Sequence, residues 1–376
     1  MSTGNEGRTS TTDGEALGRG AILARILLAL GIGAVGGVIF NWLTMPLPWM
    51  LGPMTFNTIA AVMRVPILPP IRVRPYMIVV IGVMLGSGFT PDIIGHAAAW
   101  GLSLIFLAAY LAVSGALVVP YYRRVGGFDT VTSYFAGMPG GLNEMVFIGR
   151  DMGGDDRAIA LAHVSRVVLV VGVVAVWFRL IAGYDLGDRS EFGIPFAEIP
   201  WSDLALLAAA GAVGFFAGRW LKLPSPTLIG PMLVSAAIHL TGLSHNPPPR
   251  EFVIVAQIFT GTVIGCRFIG STPREIGRAI VLSLGATMIM MAVTLIFAVS
   301  LHGLFGQPLE QVLLAYSPGG LAEMSLVAMA MNAEVAYVAS HHMVRITLVI
   351  MIAPVVFSAL RRRAGAGRDI GGGGGG

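Results

Sequence analysis

Charge is scarce in these 376 residues: Asp, Glu, Lys and Arg together make up 12%, about half the share in an ordinary soluble chain. A water-soluble fold needs polar residues on every outer helix face, so this scarcity excludes one. Cysteine is almost absent. The single Cys266 excludes an intramolecular disulfide and a cysteine-rich metal site. Lysine is as rare, since Lys222 is the only one among 24 cationic residues. Long polar stretches are confined to the two ends and one central segment, which excludes general disorder. What is present is apolar. Hydrophobic residues reach 55% and the mean hydropathy is +0.78, so the chain reads as an all-α, multi-pass membrane protein.

Apolar runs long enough to cross the hydrocarbon layer lie near 21–43, 48–63, 76–90, 98–120 and 156–182. A second set lies near 202–220, 227–243, 252–270, 279–304 and 334–360. The first run is read as an uncleaved helix, because further spans follow at once. Residues 1–20 read as a disordered polar tail, 184–201 as a linker and 361–376 as a basic, glycine-rich tail. The pI of 9.5 reflects arginines scattered between apolar runs and one cluster at Arg361–Arg363, so no nucleic-acid partner is expected.

The two sets are copies. Pro48-Trp-Met-Leu-Gly-Pro-Met54 returns as Pro226-Thr-Leu-Ile-Gly-Pro-Met232, 178 positions later. Pro139-Gly-Gly-Leu-Asn-Glu-Met145 returns as Pro318-Gly-Gly-Leu-Ala-Glu-Met324, and His163-Val-Ser-Arg166 as His342-Met-Val-Arg345, both at 179. Three rare patterns at offsets of 178 or 179 mark a tandem duplication of membrane repeats 21–183 and 202–360.

Two weaker segments, about 129–149 and 308–331, are interrupted by Pro-Gly-Gly. Proline followed by two glycines cannot continue a helix comfortably, and irregular backbone at membrane depth survives only where it lines a cavity. Read as re-entrant hairpins, they leave five crossings per repeat and invert the second repeat. That inversion moves Arg150, Arg157, Arg267, Arg274 and Arg278 to the cytoplasmic side, in better accord with the positive-inside tendency. Both termini are then cytoplasmic.

The breaks also supply the candidate site. Pro139, Gly140 and Gly141, with Pro318, Gly319 and Gly320, free backbone groups and point a half-helix N-terminus toward the membrane centre. Asn143, Glu144 and Glu323 follow on the first turn of those half-helices, where an acid is either an ordinary cap or a group that binds a cation or proton. His163 with Arg166, and His342 with Arg345, share a helix face. The glutamate of the adjacent hairpin is the expected partner of each arginine. The histidines could relay protons.

Gly31-Ile-Gly-Ala-Val-Gly36 matches a dinucleotide fingerprint only formally, since no strand precedes it; helix packing through Gly33 and Gly37 is the better reading. No Walker loop or nucleophile elbow is present, and no metal or other cofactor is implied.

The doubled Pro-Trp-Met-Leu-Gly-Pro-Met and Met-Pro-Gly-Gly-Leu-Asn-Glu-Met motifs resemble those of the AbrB-type duplicated membrane proteins of bacteria, over about 21–360. The resemblance implies a bacterial inner-membrane location. Its members carry labels such as ammonia monooxygenase or AbrB family transcriptional regulator. The residues fit neither label: no helix-turn-helix or soluble basic domain is present, and no oxygen-activating metal set. The expectation is therefore a non-enzymatic, ion-coupled secondary transporter of a small anionic or zwitterionic solute. A membrane-embedded sensor or regulator of gene expression is the alternative, and an oxidoreductase the third. The partners expected are that solute or ion and the lipid bilayer. A homo-oligomer stays open.

Overall fold

Prolines 48 and 226 each open a helix, at the position where a missing N–H costs nothing. The residue before each, Leu47 and Ser225, holds a left-handed conformation with φ of 45° and 44°. The same turn is thus built twice. The computed structural model describes residues 18–180 and 193–369, except 46, 96 and 332. The tail at 1–17, the linker at 184–192 and the glycine run at 371–376 lie outside the described residues.

The first repeat contains α1 (Arg19–Trp42), α2 (Pro48–Val62), α3 (Arg74–Ser87), α4 (Ala97–Arg124), α5 (Thr130–Gly137), α6 (Leu142–Asp151) and α7 (Asp156–Leu180). The second follows the same order with α8 (Trp201–Trp220), α9 (Pro226–Leu240), α10 (Arg250–Gly265), α11 (Pro273–Phe305), α12 (Leu309–Tyr316), α13 (Leu321–Ala330) and α14 (Val335–Asp369). No strand occurs among the described residues. α11 begins six residues before its apolar run because Thr272 and Glu275 form a capping box. α14 continues past 361, where the sequence suggests a tail, through Arg361–Arg363 and the alanines that follow.

Among the described residues seven helices are long and apolar enough to cross a membrane. Their outer faces stay apolar: Ile105 on α4, Val281 on α11 and Met351 on α14 are each about two-thirds exposed. In water such surface would drive aggregation; against lipid it is at home. The chain is an all-α, multi-pass integral membrane protein.

Glycine sets the closest approaches. A Cβ at Gly36 on α1 would strike the Gly52 backbone of α2, and one at Gly214 on α8 would strike Pro231 and Gly230 of α9. The repeats also cross-pack: α3 lies on α9 and α2 on α10, while α7 lies on α11 and α4 on α14. Gly33 meets Thr262 and Gly37 meets Trp49, as close helix packing requires.

The two broken segments are hairpins closed at their bases. The Asp155 amide donates to Thr132 Oγ1 at 2.9 Å, so the end of α6 returns to the start of α5. The Gln311 amide donates to Glu334 Oε2 at 2.8 Å and closes α12 against the end of α13 in the same way. The first base lies at the N-terminal end of α11, where Arg278 donates to Gly126 O and Arg157 pairs with Glu275. The second base follows the C-terminal end of α11, a 33-residue helix about 50 Å long. The hairpins therefore enter the bundle from opposite ends.

Candidate functional site where the hairpin tips meet

A helix that stops inside a protein leaves its last carbonyls without donors and carries partial negative charge there. α5 and α12 stop in this way at the Pro-Gly-Gly breaks, and the His–Arg pairs serve their ends. His163 Nε2 bonds Phe135 O at 2.9 Å, and Arg166 donates to Ala136 O and Met138 O, both at 3.4 Å. In the other repeat His342 Nε2 bonds Leu314 O at 3.0 Å, and Arg345 donates to Ser317 O and Gly319 O, both at 2.5 Å.

Within each pair the arginine also donates to the histidine Nδ1, at 2.8 Å for Arg166 and 2.9 Å for Arg345. A guanidinium only donates and a carbonyl only accepts. The rings are thereby fixed as neutral imidazoles with the proton on Nε2. This corrects two expectations. The arginines bond hairpin carbonyls rather than Glu144 and Glu323, because the stranded carbonyls are nearer acceptors that cannot be satisfied otherwise. The histidines, with both nitrogens occupied, are positioning residues and have no free nitrogen for a proton relay.

The glutamates turn the other way. Each sits on the first turn of its half-helix, Glu144 on α6 and Glu323 on α13. Each folds back over its own helix start, so that a side chain added at Gly141 or Gly320 would collide with the carboxylate. Negative charge at that place is favoured by the helix dipole. The cation facing both is Arg74, at the start of α3, which lies within electrostatic reach of Glu323 and Glu144. Arg267, just beyond α10, donates to Asn143 Oδ1 at 3.3 Å.

Both tips line one cavity of about 290 Å³. Of the sequence candidates, Gly140, Gly141, Asn143, Glu144, His163 and Arg166 reach it from the first repeat. Pro318, Gly319, Gly320, Glu323 and Arg345 reach it from the second. Pro139 is buried behind its tip and His342 behind Arg345. Arg74, Thr260 and Arg267 were missed, although an arginine inside the apolar run 252–270 was a signal for Arg267.

The tips are unequally sheltered: Asn143 is exposed and Glu144 half-buried, whereas Glu323 is 8% exposed. Beyond the second tip the space is packed by Tyr316, Tyr337 and His341, all fully buried. Ser103 Oγ lies 2.5 Å from the Tyr337 hydroxyl and 2.9 Å from His341 Nε2, and the Tyr316 hydroxyl donates to Ser103 O. The first repeat has Gly137, Ala158 and Ala162 at the equivalent positions. Ala158 and Ala162 there line a second cavity of about 340 Å³. Among the described residues no three metal-ligating side chains gather.

Residues 49–361 match the family model described as "Transition state regulatory protein AbrB". Over 92% of its length the chain is 27% identical to "Uncharacterized protein YhjN" of Bacillus subtilis (strain 168), covering 96% of that protein. It is 25% identical to "Putative regulator AbrB" of Escherichia coli (strain K12), over 88% of this chain and 92% of the relative.

Proposed function

Starting from a chain that belongs to the AbrB family, we propose that it is an ion-coupled secondary transporter of a small anionic or zwitterionic solute in the bacterial inner membrane. The observation that carries this reading is the meeting of two half-helix tips, entering from opposite ends, in one cavity with four guanidiniums and two carboxylates. Broken helices that meet between repeats are how transporters build a site at the bilayer midplane. The excess of positive charge favours an anionic group. Glu144 and Glu323 are the groups that would take the coupling proton or cation, since they are the only acids among the described residues lining the cavity.

The repeats are read as inverted, related by a pseudo-two-fold axis in the membrane plane. Hairpins entering from opposite ends support this, as do the cross-packed pairs α3–α9 and α2–α10. The arginine-rich end, with Arg157 and Arg278, faces the cytoplasm in this reading, together with both termini.

Uptake into proteoliposomes tests the transporter. Glu144→Gln should leave a folded protein whose uptake is lost or no longer depends on pH. A second reading, a membrane-embedded sensor, takes support from the word "regulator" in the name of the Escherichia coli relative. It would use the same cavity to bind without flux. Metal analysis of the purified protein tests an oxidoreductase.

A further inference from the structure

Buried polar atoms without partners are rare and costly, and four of them belong to residues around one cavity. Arg74 Nε, Arg166 Nε, Arg345 Nε and Thr260 Oγ1 are all buried without a hydrogen-bond partner, and all four residues line the cavity between the hairpin tips. Arg166 and Arg345 are each 2% exposed. Their Nη groups make three hydrogen bonds each, to hairpin carbonyls and a histidine nitrogen, which leaves the buried Nε–H and one Nη–H of each guanidinium spare. The two guanidiniums lie within electrostatic reach of one another and repel. A ligand with an anionic group beside each would offset that repulsion and accept the spare donors.

We propose that this cavity takes a small dicarboxylate, with one carboxylate group at each hairpin tip. The proposal rests on the solute-binding reading above and names its chemical class. Charge comes first: Arg74, Arg166, Arg267 and Arg345 stand against Glu144 and Glu323, a formal excess of two positive charges that a dianion neutralises. Duplication comes second. The repeat places an unpartnered Nε–H at each tip, so a ligand with two separated anionic heads reaches both, whereas a single-headed oxyanion held at one tip reaches one. Arg74, facing both glutamates, keeps their charges from repelling the ligand. Size comes third. A cavity of about 290 Å³ has room for a chain of a few carbons.

The test is equilibrium binding to the purified full-length protein in detergent, at constant ionic strength. Melting temperature and calorimetry would be read against succinate, acetate, sulfate, inorganic phosphate and the neutral succinamide. Succinate should raise the melting temperature saturably, while acetate and succinamide at the same concentrations should not. Arg74→Gln, which removes no hairpin cap, should weaken succinate about tenfold or more, the scale of one charge-assisted hydrogen bond. Arg345→Lys should weaken it similarly if that variant folds. Sulfate or phosphate matching succinate would overturn the two-headed ligand, and so would the absence of stabilisation by succinate. Succinate binding without flux would defeat the transporter and leave this proposal standing; flux of another solute without succinate binding would do the reverse.

Discussion

A guanidinium held against two backbone carbonyls changes what substitution at its neighbours should do. Arg345 serves Ser317 O and Gly319 O and the His342 ring, all buried. Arg345→Met strands those acceptors, at roughly 1–3 kcal/mol for each buried group left unpaired. Thermal unfolding in detergent should show a large loss of stability. Glu144→Gln strands no arginine, because Arg166 bonds to Ala136 O and Met138 O; its stability should stay within about 1 kcal/mol of the parent protein. A collapse of Glu144→Gln with an intact Arg345→Met would reverse the assignment. Glu144, Glu323, Arg166 and Arg345 stood out in the sequence because an ionisable side chain in an apolar run must have company, and all four line the cavity at the breaks. The sequence could not say which company. Stranded carbonyls leave no mark in composition, and Arg74 stands at a helix start whose direction depends on how α3 packs.

At the scale of elements, the Pro-Gly-Gly breaks were legible because proline and paired glycines stop helices in any context. The hairpin fold was an inference from crossing number. The structure adds the latches at the bases, Thr132 with Asp155 and Gln311 with Glu334. These residues stand 179 apart in corresponding pairs but share no residue type, so no motif search would join them. In a Cys266→Ala background, Thr132→Cys with Asp155→Cys, and Gln311→Cys with Glu334→Cys, should each cross-link with a short bis-maleimide in folded protein. Failure of both pairs would mean that the segments cross the bundle rather than turn back. The glycine crossings make a paired prediction. Gly36→Val and Gly214→Val each push a side chain into the partner helix's backbone, and each should destabilise by about 1–3 kcal/mol. A tolerant site in one repeat beside an intolerant one in the other would show that the two interfaces are not equivalent.

For the whole molecule, the duplication gave the architecture its outline from three short motifs, and the seven-helix order of each repeat follows it. The asymmetry between repeats was not legible. Gly137, Ala158 and Ala162 look unremarkable in a sequence until Tyr316, Tyr337 and His341 are found filling the equivalent space. That difference packs the space beyond the second tip, while Asn143 at the first tip is exposed. A transporter must open its site to each face in turn, whereas a sensor need not. The decisive measurement is therefore the sidedness of labelling of Asn143→Cys in a Cys266→Ala background. A membrane-impermeant thiol reagent would be applied to sealed cells and, separately, to inverted membrane vesicles. Alternating access should give labelling from both faces, with Gly153→Cys, at the end proposed to be cytoplasmic, labelled in inverted vesicles alone. Labelling of Asn143→Cys from one face only, at every reagent concentration and time, would contradict it.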